Sequence, residues 1–149
     1  MPISYTVDTE RRLVLETWRG DVDACQLGEY WTKLLDDAQA VAIRRNLSDL
    51  SDCEIRLTTE EMWSLVSWIL IPRQAGRKWA TAIVVGKPST HSISRHFQAF
   101  ADTFSHDQIF TDYAAAYEWI LRQEIGAASC CAGNAGLPNP QHVSSAANR

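Results

Sequence analysis

The second half of the chain constrains the fold most, because two strand-then-helix units follow each other there with almost no slack. Residues 79–86 (WATAIVVG) form an apolar run that stops at Gly86. Residues 89–104 (STHSISRHFQAFADTF) then carry Ile93, Phe97, Phe100, Ala101 and Phe104 at helical spacing. Residues 108–111 (QIFT) make a short second run, and 112–122 (DYAAAYEWILR) a second helix. Strands alternating with helices require a parallel sheet with helices packed on it. The 79–86 run is apolar almost throughout, as suits a strand buried on both faces.

The first half opens differently. Residues 3–8 (ISYTVD) and 12–18 (RLVLETW) alternate as half-buried strands do, and the polar turn between them predicts an antiparallel hairpin ending at Gly20. Asp23 with Gln26 is a capping box for a helix over 24–38, and Thr58 with Glu61 is another for a helix over 59–71, stopped by Pro72. Between them, 41–50 (VAIRRNLSDL) reads as a third strand ending near Asp49, followed by a loop, SDCEIRL. The order is β-β-α-β-α-β-α-β-α: a single-domain α/β sandwich with a mostly parallel five-stranded sheet and four helices. With 149 residues, one domain is expected. It spans 1–125. Residues 126–149, free of acids and rich in small residues with Gly and Pro, read as a disordered tail.

Composition excludes several classes. No run approaches the ~20 apolar residues of a membrane span. The N-terminus lacks the order of a signal peptide, so a cytoplasmic protein with free thiols is expected. Cys25, Cys53, Cys130 and Cys131 do not stand at metal-ligand spacing, and neither a metal nor another cofactor is expected. The net charge of −4, with no basic helix and no interleaved aromatic-basic stripe, argues against nucleic acid.

Charge is nevertheless uneven. Residues 62–101 contain no Asp or Glu, but hold Arg73, Arg77, Lys78, Lys87 and Arg95. Gly86-Lys87-Pro88-Ser89-Thr90 follows a buried strand and opens a helix, where backbone N–H groups favour an anion. Lys78, Lys87, Ser89, Thr90 and Arg95 are therefore the candidate site for a carboxylate or phosphate group. The Walker A spacing is absent, because the first glycine is missing and Pro88 separates Lys from Ser. No Ser or Cys stands in a nucleophile turn to complete Asp102 and His106 as a triad, and the adjacent pairs Asp36-Asp37 and Glu60-Glu61 do not face each other. No catalytic residue is assigned.

Helix 59–71 is apolar beyond one stripe. Met62, Leu65, Val66 and Ile69 share a face, with Trp63 and Leu70 on one flank and Trp68 on the other. Excess apolar surface of this kind marks an interface, so Trp63, Trp68 and Leu70 are candidate interface residues and a homodimer is expected.

The ordered set of pieces resembles the SpoIIAA-like branch of the STAS superfamily, more distantly the Sec14-type lipid carriers. It comprises the hairpin ending Trp18-Arg19-Gly20, the strand ending Leu47-Ser48-Asp49-Leu50, the strand Ala82-Ile83-Val84-Val85, the helix His96-Phe97-Gln98-Ala99-Phe100-Ala101 and the closing Ile109-Phe110-Thr111-Asp112 with Ala116-Tyr117-Glu118-Trp119-Ile120-Leu121. The resemblance implies a non-enzymatic module that works through a regulatory protein partner. It also allows a carrier or sensor of a small anionic or amphipathic ligand held in an apolar cavity beneath helix 89–104; an enzyme ranks third. STAS antagonists of anti-sigma factors carry a phosphorylatable Ser in an Asp-Ser-Ser-Gly-like turn. That turn is absent here, and Thr58 falls nearest the corresponding helix start.

Overall fold

In a computed structural model, which describes residues 2–73 and 78–124, five strands form one sheet in the order β1-β2-β3-β4-β5. They are β1 (Ile3–Asp8), β2 (Leu13–Asp23), β3 (Arg45–Arg56), β4 (Trp79–Val85) and β5 (Ser105–Phe110). The first pair is antiparallel and every other pair parallel, as the hairpin and the strand-helix repeats require. The expected tail, with Cys130 and Cys131, lies outside the described residues, as does Arg77.

The helices divide unequally between the two faces. On one side lie α1 (Ala24–Asp36), α2 (Ala38–Ile43), α3 (Thr59–Leu65) and α4 (Pro88–Ala101). Among the described residues only α5 (Tyr113–Leu121) covers the other, where Ala116 and Ile120 pack on Leu13, Leu47, Ala80, Ala82 and Val84. Both capping boxes form. The Asp23 side chain accepts from Gln26 N–H at 2.9 Å and the Thr58 hydroxyl from Glu61 N–H at 3.1 Å. Thr58 is thus engaged as a helix cap.

Three departures from the sequence reading have physical causes. Residues 38–43 are helical, not the start of a strand. Asp37 caps them, its side chain accepting from the N–H groups of Gln39 and Ala40, and Arg44 ends them in the left-handed region at φ 54°. The strand then begins at Arg45 and runs on through the expected loop to Arg56. Its register against β2 shifts between Thr17/Arg19 and Asp49/Asp52, so β3 carries one extra residue. This bulge breaks the period-two pattern, and Cys53 rather than Asp52 joins the core. Likewise β2 continues past Gly20, which takes φ 68°, to Asp23. Gly86 is needed where β4 leaves the sheet, because a Cβ there would lie 2.5 Å from the Ser51 carbonyl oxygen on the bulged strand.

The third departure is in the 59–71 helix. It is α-helical only to Leu65, then widens into a π turn (Val66–Leu70) and tightens into a 3-10 turn (Ile71–Arg73). The wider turn changes the angular phase, and Leu70 points into the core instead of sharing a flank with Trp63.

One buried cation ties the two ends of the fold together. The Arg45 guanidinium donates to the carbonyls of Arg11 and Arg12 in the hairpin turn, and to those of Leu121 at 3.2 Å and Gln123 at 2.9 Å beyond α5. Burial lowers its pKa.

Candidate functional site

Successive residues of a strand point to opposite faces. Beneath α1 and α4 the sheet therefore presents Glu16 and Trp18 from β2, Asn46 and Ser48 from β3, Thr81 and Ile83 from β4, and Asp107 from β5. The register sets Glu16 opposite Ser48, and lines Asn46, Thr81 and Asp107 up in one row across three strands. An otherwise apolar face thus has a polar centre.

Glu16 is 5% exposed. One of its oxygens accepts from Asn46 Nδ2 and Ser48 Oγ, both at 2.9 Å. The other accepts from the Tyr30 hydroxyl at 2.7 Å and from Trp18 Nε1 at 3.4 Å. Burial raises the Glu16 pKa, and the four donors oppose that rise. Burial, and then the Glu16 charge, push the Tyr30 phenol up. Tyr5 meets the Tyr30 ring edge-on at 5.9 Å and donates to Asp37 at 2.7 Å. Burial, with that bond to Asp37, raises its own pKa to about 12.

Asp107 Oδ1 accepts from the Ser105 hydroxyl, while its Oδ2 has no partner among the described residues. Burial pushes its pKa up to about 6.

Between this floor and the helices is a cavity of about 80 Å³. Glu16, Asn46, Ser48 and Thr81 line it from below; Trp31 and Leu34 of α1, Met62 of α3, and Ile93, Ser94 and Phe97 of α4 enclose it. A second chamber of about 50 Å³ shares the walls Trp31, Leu34, Asn46, Thr81 and Phe97, and runs toward Leu70, Trp79 and Phe104. Asn46 borders both chambers, and its Oδ1 has no partner among the described residues.

The expected anion site is arranged otherwise. Lys87 and Ser89 come together, but on a carboxylate: Lys87 Nζ lies 3.2 Å and Ser89 Oγ 2.9 Å from Glu54. The Ser89 bond and then the Lys87 bond lower the Glu54 pKa. Thr90 is fully buried and donates to the Cys53 carbonyl at 3.2 Å. Lys78 sits at the opposite end of β4, roughly 23 Å away at ~3.3 Å per residue, and donates to the Asp102 carbonyl at 3.3 Å. Arg95 is exposed on α4. A cavity does lie beneath α4, but none of these five residues lines it.

Of the interface candidates, Trp63 is 47% and Trp68 81% exposed, whereas Leu70 is buried. The Trp63 ring packs edge-on against Phe100 at 5.1 Å. His106 is not on a helix with Asp102; it lies on β5, its ring 5.3 Å from Trp119. Among the described residues no group of His, Cys, Asp and Glu could hold a metal ion, and no helix is long and apolar enough to cross a membrane.

The polar floor was overlooked in the sequence, although it leaves a trace. Glu16 stands between Val14 and Trp18, two places away on either side, at an inward position of an alternating strand. Asn46, Ser48, Thr81 and Asp107 interrupt their strands in the same way.

No family model matches the chain, and no curated protein does. A solved structure does: a protein of the DUF3478 family with a SpoIIAA-like fold, from Shewanella loihica PV-4, described as uncharacterized. The likeness has a TM-score of 0.55 at 19% identity, and covers 79% of this chain and 93% of that one. The fold is SpoIIAA-like. At this identity the SpoIIAA-like likeness concerns architecture alone.

Proposed function

We propose that this protein is a non-enzymatic interaction module that pairs with a second copy of itself through the outer side of residues 59–71. The observation that carries this is the exposure of Trp63 and Trp68 on one short helical segment that the other described residues leave open. Large aromatic side chains left in water are the usual anchors of an interface. A non-enzymatic role is supported by Glu16: both its oxygens are occupied by four donors, which leaves no lone pair for proton transfer to a substrate. On this reading the protein works in the cytoplasm without a cofactor, and a regulatory protein partner can meet the same face. Native mass spectrometry of the untagged protein tests it. A dimer is expected, and Trp63→Glu with Trp68→Glu should give a folded monomer; an unchanged dimer mass would count against this face.

A second reading is a carrier or sensor of a small ligand. It is favoured by the cavity under α4 and by the unpartnered, deeply buried acceptor at its edge.

A further inference from the structure

Resting on that second reading, we infer that the cavity between the sheet and helices α1 and α4 binds a small, mostly apolar molecule with one uncharged hydrogen-bond donor, of the alcohol class, which donates to Asn46 Oδ1. Four features lead to this chemistry.

The first is Asn46 itself. It is 5% exposed, and its Nδ2 is committed to Glu16 at 2.9 Å. That bond fixes the amide orientation and leaves Oδ1, on a side chain that borders both chambers, without a partner among the described residues. Buried amide oxygens in folded proteins are almost always paired. Whatever fills the cavity must supply the donor.

The second is charge. Glu16 lies in the cavity floor, and among the described residues no Lys, Arg or His lines either chamber. An anion would enter without a counter-charge and beside a carboxyl group, which a desolvated site does not tolerate. On this lining a neutral ligand fits the cavity better than an anion.

The third is acceptor supply. Both Glu16 oxygens are already filled by Tyr30, Trp18, Asn46 and Ser48. An ammonium ion brings three donors and a full charge, whereas Asn46 Oδ1 is the lining oxygen without any partner among the described residues, so a single neutral O–H matches the site better.

The fourth is size and lining. The walls are Trp31, Leu34, Ile83, Ile93 and Phe97. An engineered cavity of about 150 Å³ takes benzene, so chambers of about 80 and 50 Å³ suit a ligand of about four to six non-hydrogen atoms.

The test uses the full chain, isotope-labelled, titrated separately with 1-butanol, diethyl ether and butyrate while backbone amide shifts are followed. Butanol and diethyl ether have the same atoms, but only butanol has a donor. Saturable butanol shifts centred on Asn46, Thr81, Ser94 and Phe97 are expected, with the ether at least tenfold weaker and butyrate without effect. Ser94→Leu should fill the cavity and abolish the butanol shifts in a protein that stays folded. Equal binding of butanol and ether would overturn the donor assignment while leaving the cavity a ligand site. Preferred binding of butyrate would overturn the charge argument in the same way. Failure of all three probes to reach these amides, or butanol shifts that survive Ser94→Leu, would overturn the cavity as a ligand site altogether.

Discussion

The same strands build two unlike faces. Toward α5, β4 presents Ala80, Ala82 and Val84, which pack with Leu13 and Leu47 under Ala116 and Ile120 into an apolar layer, with the buried Arg45 at its margin. Toward α1 and α4, alternate residues of the same strands present Glu16, Asn46, Ser48, Thr81 and Asp107, and the layer contains two cavities. The face with four helices holds the cavities, and the face under α5 is the more apolar one. Residue size differs between the layers: Ala80, Ala82 and Ala116 meet under α5, whereas Trp31 and Phe97 stand over the cavity under α1 and α4. Helix number therefore says little about packing quality. The difference locates the adaptable part of the molecule under α1 and α4, and leaves α5 a structural brace.

The sharpest way to break this contrast is to delete the polar centre. Glu16→Ala leaves the Tyr30, Trp18, Asn46 and Ser48 donors without their acceptor, and should cost about 4 kcal/mol in urea unfolding. A loss below about 1 kcal/mol would mean that the network does not hold this face together.

Asp107 offers a second test, through pH. Burial raises its pKa from 3.8 to about 6, so the folded chain holds this proton more tightly than the unfolded chain does. Its contribution is intact below pH 3.8 and declines as pH rises through about 6. Relative to Asp107→Asn, the protein should thus lose up to about 3 kcal/mol across that window and then level off. Parallel stability curves for the two proteins would show that Asp107 titrates as it does in water.

The smallest effect compares added volume on the two faces. Ala116→Leu enters the tight layer and should cost about 2 kcal/mol, whereas Ser94→Leu enters the cavity and should change stability by less than about 1 kcal/mol. Equal costs in thermal melts would erase the distinction between the faces.

The parts of the fold that the sequence made legible are those where one local rule acts alone. The capping boxes at Asp23 and Thr58, the hairpin and the buried strand at 79–85 obey such rules. The third strand was legible but its bounds were not: its bulge breaks the alternation past Asp49, and the apolar residues of α2 resemble its start. The π turn at 66–70 left Leu70 on the wrong side of a helical wheel. For the cavity the obstacle was different. Glu16 and Asn46 are 30 positions apart, and only the β2–β3 register brings them together. The basic window was conspicuous in the sequence because Glu54, which meets Lys87 and Ser89, lies outside that window.

Arg45 gives the fold a mechanical property. Its guanidinium holds carbonyls from Arg11 and Arg12 on one side, and from Leu121 and Gln123 on the other. Tension drawn through the chain end after Gln123 would meet this clasp before it reached the sheet. Two bonds would have to give way together, and the force would pass through Arg45 into the hairpin turn at the other end of the sequence. A protease or unfolding machine that pulls from that end therefore encounters both ends of the domain at once.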